Sequence, residues 1–151
     1  MIELRDKKDC CGCGACYNKC PQDAIKMVWD EEGFLYPKID EQKCIKCGLC
    51  DKVCGFAPKQ AQVELPKAYG VKHRDTETRI TSRSGGAFVA FSDWILKHSG
   101  VVYGASMQTD CTVKHVRATS DIERDAMKTA KYVQSDMNDI LPSVARDLNE
   151  G

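Results

Sequence analysis

Eight cysteines fall into two groups of identical spacing, and this repeat constrains the chain more than any other feature. Cys10, Cys13, Cys16 and Cys20 follow the pattern C-x2-C-x2-C-x3-C. Cys44, Cys47, Cys50 and Cys54 repeat it, each 34 residues after its counterpart. Self-similarity at a fixed period marks a duplicated structural unit. Three thiolates two residues apart wrap a tight loop over three corners of one metal–sulfur cube. Backbone N–H groups of such a loop point at the sulfurs and stabilise their negative charge. Structural zinc usually takes two cysteine pairs separated by a longer stretch, and neither group has that shape. The opening run Met1-Ile2-Glu3-Leu4-Arg5-Asp6 has no apolar core of a signal peptide. Metal ligands in a reducing cytoplasm are therefore expected here, not a disulfide framework.

The pattern is that of bacterial ferredoxins with two [4Fe-4S] clusters, in which the fourth cysteine of each motif ligates the other cluster. One cluster is assigned to Cys10, Cys13, Cys16 and Cys54, and the other to Cys44, Cys47, Cys50 and Cys20. The fourth cysteine is expected to begin a short helix and point away from its own loop. Pro21 follows the first motif and Gly55 the second, so looser loop geometry is expected there. Cys11 reads as a spare thiol beside the first cluster, and Cys111 as an ordinary loop or core cysteine. Residues 24–28 and 34–39 read as two short strands around a polar turn. Ile25, Val28, Phe34 and Ile39 are expected to shield the clusters. Lys plus Arg equals Asp plus Glu at 22 each, so no nucleic-acid footprint is visible. That balance counts every thiol as neutral. Two oxidised cubanes with four thiolates each would add about two negative charges apiece and make one half acidic.

The rest of the chain has no such pattern. The sequence suggests a cluster domain over 1–57, a linker over 58–66 and a second domain over 67–151. Ala68–Val71 reads as a strand and Arg79–Arg83 as a polar loop. A helix is expected from about Gly85 to His98, capped by Ser84, with Ala87, Phe88, Phe91, Trp94 and Ile95 on its packed face. Strands are expected at Val101–Ala105 and Thr112–Ala118, and helices near Ile122–Lys128 and Met137–Asn149. The fold class is therefore α+β: a two-cluster ferredoxin-like domain followed by a partial α/β layer domain. A strand would normally follow the last helix, so the chain is expected to be a fragment of a longer protein. His73, His98 and His115 show no ligand spacing and read as surface histidines.

The runs Tyr69-Gly70, Ser82-Arg83-Ser84-Gly85-Gly86-Ala87-Phe88, Val101-Val102-Tyr103-Gly104-Ala105 and Lys131-Tyr132-Val133-Gln134-Ser135 resemble the coenzyme F-420 hydrogenase/dehydrogenase beta subunit family. Ala130 stands where that family would have serine, and the family's further C-terminal portion is absent. The resemblance implies an iron–sulfur flavoprotein oxidoreductase subunit. FAD would exchange electrons between a two-electron carrier, F-420 or another, and two one-electron clusters. It implies flavin contacts at Arg83, Ser84, Gly85, Gly86, Lys131 and Tyr132. Read from the residues alone, Ser84-Gly85-Gly86 is either a phosphate-accepting helix N-terminus or a capped helix with a tight turn. Lys131 and Tyr132 read as an exposed helix end. A redox partner protein is implied. The alternative function is a non-enzymatic electron-transfer module whose second half is a docking platform.

Overall fold

The computed structural model describes residues 7–56, 66–137 and 139–150. Contacts divide the chain into two compact units, Met1–Gln62 with Met137–Gly151, and Val63–Asp136. The expected linker lies almost wholly outside the described residues. No described helix is long and apolar enough to cross a membrane. The architecture is mixed, with short helices and two small sheets.

In the first unit, helix α1 (Ala15–Lys19) precedes strands β1 (Ile25–Trp29) and β2 (Leu35–Ile39), and helix α2 (Leu49–Val53) follows. The strands pair antiparallel from Ile25↔Ile39 to Trp29↔Leu35. Asp30 builds the turn between them. Its Oδ1 accepts from the N–H groups of Glu32 at 3.0 Å and Phe34 at 2.9 Å, and Gly33 takes the positive φ of 81°. Pro37 is tolerated because each strand of a two-stranded sheet is an edge. Helix α6 (Leu141–Glu150) packs against α1 within this unit, although the sequence suggested placing it in the second domain. The core is small: Cys16, Ile25 and Cys50 are buried, with Cys20 and Ile39 packed against them.

The second unit holds helix α3 (Thr76–Ser82), helix α4 (Ala87–Lys97), strands β3 (Val102–Met107) and β4 (Val113–Ala118), and helix α5 (Asp121–Asp125). β3 and β4 pair antiparallel from Val102↔Ala118 to Met107↔Val113. Asp110 organises their turn, accepting from the Thr112 N–H at 3.0 Å and its hydroxyl at 2.6 Å. Exposed Cys111 sits in that turn with φ 65°. Among the described residues the unit's sheet has these two strands, with one isolated parallel bridge, Lys114↔Asp136. The layer anticipated for this half is thus an antiparallel hairpin with helices on it.

Val102, Ala118 and Met127 are buried together, with Ile95, Leu96 and Val116 around them. Gly104 makes this possible. A Cβ there would stand 2.9 Å from Met127 Sδ, so only glycine lets Met127 lie on the sheet. Arg124, 4% exposed, ties α5 to α4. It donates to Ser92 Oγ at 2.6 Å, Asp93 Oδ1 at 2.6 Å and the Val89 carbonyl at 3.3 Å.

Four local expectations are corrected. Residues 76–82 form a helix, not a polar loop, because Asp75 caps it by accepting from Thr78 N–H at 2.6 Å. Ala68–Val71 forms no strand. Its continuation lies against the double glycine instead, with His73 N–H donating to the Gly85 carbonyl at 2.6 Å. The cap of α4 is Gly86 at φ 77°, not Ser84. The packed face of α4 carries Val89 and Ser92, while Phe91 and Trp94 are 69% and 64% exposed.

Candidate metal centre

Each cysteine motif folds into the same local shape. Gly14 and Gly48, each two residues before the third cysteine of its motif, take φ of 70° and 73° and cap α1 and α2. The third cysteine of each motif, Cys16 or Cys50, lies inside the helix and is buried. The fourth, Cys20 or Cys54, is the C-cap in extended backbone. The expectation that the fourth cysteine begins a helix is corrected. It ends one, and that turn out of the helix is what aims it away from its own loop.

One position breaks the symmetry. Gly12 adopts φ 66°, and its counterpart Lys46 adopts φ 53° with a full side chain. The loop geometry overrides the residue's preference, since a left-handed L-residue costs about 1–2 kcal/mol.

The two loops and the hairpin enclose two hollows in the first unit. Cys10, Cys13 and Cys16 line one together with Cys54. Cys44, Cys47 and Cys50 line the other together with Cys20. The hairpin contributes alternate residues of one face: Met27 and Pro37 at the first hollow, Ile25 and Ile39 at the second. Val28 and Phe34, expected to shield the centres, are 43% and 48% exposed. Val28 stands on the opposite face of β1 from Ile25 and Met27, which follows from strand alternation. Cys11 is exposed but lines the first hollow beside Cys10 and Cys13.

The donor set suits sulfur-bridged iron. All ten thiols are free of disulfide bonds. Backbone N–H groups already point at two of the sulfurs: Gly12 at Cys10 Sγ, 3.4 Å, and Ala24 at Cys20 Sγ, 3.3 Å. Such bonds stabilise a thiolate. Burial pushes the Cys16 thiol up to about 11, with negative charge at Cys13 and Cys10 adding to it. A metal must therefore displace a proton there, so binding releases protons and depends on pH. Burial also raises Cys11, with Cys13 as the next cause. Among the described residues no three His, Cys, Asp or Glu side chains converge on one point as a single bound ion requires. The four cysteines of each set line one hollow.

The residues carried by resemblance lie in the second unit, apart from these loops in sequence. Arg83, Ser84 and Tyr132 line one hollow there, with Phe88, Lys128 and Thr129. Gly85 and Gly86 are not on it. They serve close packing: a Cβ on Gly85 would meet the Val71 carbonyl oxygen at 2.7 Å, and one on Gly86 would meet His73 Cβ at 2.9 Å. The Lys131 ammonium is turned onto carbonyls of its own turn, Lys128 at 2.6 Å and Met127 at 3.0 Å. Burial there lowers its pKa. The histidines do local work: His115 Nδ1 lies 2.8 Å from Ser135 Oγ, and His98 Nδ1 lies 2.7 Å from the Trp94 carbonyl. His73 and His115 are half-buried, not surface residues. Ser82 and Lys128 were not anticipated as site residues, because only the fold brings two such distant, unremarkable residues to one hollow.

Comparison with known proteins fits the cysteine geometry. A 4Fe-4S dicluster domain matches residues 9–57. An uncharacterized ferredoxin of Methanocaldococcus jannaschii is 37% identical over 62 residues, which cover 41% of this chain and 79% of that protein. The B component of the Na(+)-translocating ferredoxin:NAD(+) oxidoreductase complex of Acetobacterium woodii is 42% identical over 62 residues. An iron-sulfur subunit of the CoB--CoM heterodisulfide reductase of M. jannaschii is 36% identical over 63 residues. The matches cover 41% and 33% of this chain, but only 16% and 10% of those two longer proteins.

Proposed function

The chain belongs, through residues 9–57, to the 4Fe-4S dicluster ferredoxins, and on that premise we propose that it wires two cross-ligated [4Fe-4S] clusters into a larger redox complex. Cys10, Cys13, Cys16 and Cys54 would hold one cluster, and Cys44, Cys47, Cys50 and Cys20 the other. The carrying observation is that each fourth cysteine lines the hollow of the opposite motif. Bound there, such clusters supply one-electron transfer at potentials that proteins tune between roughly −700 and +450 mV. The chain's own part is to orient eight thiolates, to aim N–H groups at sulfur and to keep water off with Ile25, Met27, Pro37 and Ile39. Two relatives are parts of named redox complexes, which supports a partner protein as the source or sink of electrons.

The test is spectroscopic. In anaerobically purified protein, electron paramagnetic resonance of reduced Cys20→Ala should match Cys47→Ala, and Cys54→Ala should match Cys13→Ala. The reverse pairing would refute cross-ligation. Zinc in place of iron and sulfide would refute the clusters themselves.

A second reading adds FAD, exchanging electrons with F-420 or another two-electron carrier, and makes the chain part of an oxidoreductase. It is supported by the gathering of Arg83, Ser84 and Tyr132 on one hollow. Counting flavin with iron and sulfide in the anaerobic protein decides it. Clusters without flavin in fully loaded protein leave the electron-transfer module with a docking half.

A further inference from the structure

Given the two clusters proposed above, on which this rests, we propose that the loop of the second motif, residues 43–47, is the electron port of the cluster unit. It is the face on which an acidic patch of a one-electron redox partner docks. The first observation is exposure. The 34-residue period aligns Gly12 with Lys46 and Cys13 with Cys47. Gly12 is buried and Cys13 half-buried, whereas Lys46 and Cys47 are both exposed. Electron tunnelling weakens steeply with distance, so a ligand sulfur at the surface gives the shorter route to a partner. Beside it stands Ile45, 60% exposed. An isoleucine turned to solvent next to an exposed ligand suits the apolar centre of a small docking patch with a polar rim.

The second observation is charge. The same period matches Asp9 with Lys43 and Gly12 with Lys46, so the cysteines are duplicated and the charges beside them are not. Among the described residues, Lys46 is the one Asp, Glu, Lys or Arg lining the second hollow, and Asp9 the one lining the first. Lys7, near Asp9, is already held by Asp30 at 2.7 Å. Asp40 and Glu41 lie in the turn before Lys43, outside the hollow, and Asp40 turns its carboxylate onto the Gln42 N–H at 3.1 Å. Among the described residues neither Lys43 nor Lys46 is ion-paired. The third observation is strain. Lys46 holds φ 53° where its counterpart is a glycine. Strain of that kind persists where a side chain has a task, and no partner within the chain supplies one. An oxidised cubane with four thiolates is anionic and would repel an acidic partner, and Lys43 and Lys46 offset that repulsion at the point of contact. Lys46 also favours an added electron on the second-motif cluster, while Asp9 disfavours it on the other. The electron therefore rests at the port before it leaves. It crosses singly: the cluster is oxidised by one electron, the partner's acceptor is reduced by one, and no bond or proton moves.

Stopped-flow electron transfer tests it, with holoprotein reduced by dithionite and freed of the excess. The acceptors are cytochrome c, whose surface is basic, and the same protein with its lysines succinylated, whose surface is acidic. Lys43→Gln combined with Lys46→Gly should slow reduction of the acidic form about tenfold at low salt, the lower end of what steering supplies, and leave the basic form no slower. The difference should close at roughly 1 M salt, where screening acts within about 3 Å. Lys38→Gln, on the face of β2 turned from the hollows, should change neither rate. Lys46→Gly alone should raise the denaturant midpoint and still slow the acidic form, which loss of a merely structural lysine would not do. In half-reduced protein the electron paramagnetic resonance signal should be that of the cluster lost in Cys47→Ala, and the double variant should move the electron toward the other cluster about threefold or more. Unchanged reduction of the acidic form by the double variant, equal slowing of both acceptors, or a first electron on the other cluster would overturn the port. At full iron and sulfide loading those results leave the clusters standing. Protein that holds neither iron nor sulfide would overturn the cluster reading and the port with it.

Discussion

Replacing Arg124 with methionine should loosen the second unit by about 2–3 kcal/mol, and the figure follows from what the guanidinium touches. Two of its acceptors, Ser92 Oγ and the Val89 carbonyl, are buried. Hydrogen bonds from a charged donor are each worth roughly 1.5–3 kcal/mol. Both acceptors keep other bonds, so neither is orphaned and the lower end applies: Ser92 Oγ still donates to the Phe88 carbonyl, and the Val89 carbonyl still accepts within α4. The carboxylates Asp93 and Asp125 are 36% and 47% exposed, so water reclaims them cheaply. Methionine refills most of the volume of the arginine stem. For a unit of this size 2–3 kcal/mol corresponds to a drop of roughly 8–24 °C in the thermal midpoint. Trp94 reports the transition by fluorescence in a Trp29→Phe background, and cluster absorption in the visible follows the first unit separately. A loss below about 0.5 kcal/mol, or a gain, would mean the arginine is a buried charge better replaced by an apolar side chain.

Other outcomes follow from single contacts. Glu123 is held below the ordinary glutamate range by the backbone N–H of Thr119 first, then by the Thr119 and Ser120 side chains. Its contribution is therefore complete above the unfolded pKa and lost as pH falls through the folded one. The urea midpoints of wild type and Glu123→Gln should differ at neutral pH and converge in acid, and a constant gap would count against the cap. Gly48→Ala should destabilise the first unit by about 1 kcal/mol through backbone strain, since no atom lies within 4 Å of the added Cβ. Cluster loss should come at lower denaturant, with Lys46→Gly as the opposite-signed control. Gly104→Ala should cost about 1–3 kcal/mol by overpacking against Met127, with partial recovery when Met127 is also shortened. Stripping iron should unfold the first unit, whose buried apolar residues among those described are Cys16, Ala24, Ile25, Leu35 and Cys50, while Trp94 fluorescence stays native.

The cysteine repeat was legible because its residues are close in sequence, chemically rare and repeated. The hairpins were legible for a similar reason: each is two short runs rich in apolar and β-branched residues around a polar turn, written over a few adjacent residues. The face of α4 was not. Phe88, Phe91 and Trp94 make the more hydrophobic stripe, yet the helix packs through Val89 and Ser92 because a buried arginine from α5 claims them. Periodicity alone cannot report a partner that arrives later in the chain. Helix α3 escaped notice because its sequence is polar and its signal was a single cap, Asp75. Ser84-Gly85-Gly86 carried two meanings in the sequence. The structure gives the glycines to close packing against Val71 and His73 and leaves Ser84 on the hollow.

Helix α6 returns to α1 after the whole second unit has been threaded between them. Its docking closes a loop, and the entropy lost in closing a loop grows with the logarithm of its flexible length. Folding of the intervening unit replaces most of that slack with a rigid body. Each halving of the slack saves about 0.6 kcal/mol. The hold of the last helix on the cluster unit therefore registers whether the inserted unit is folded, with no contact between the two being required.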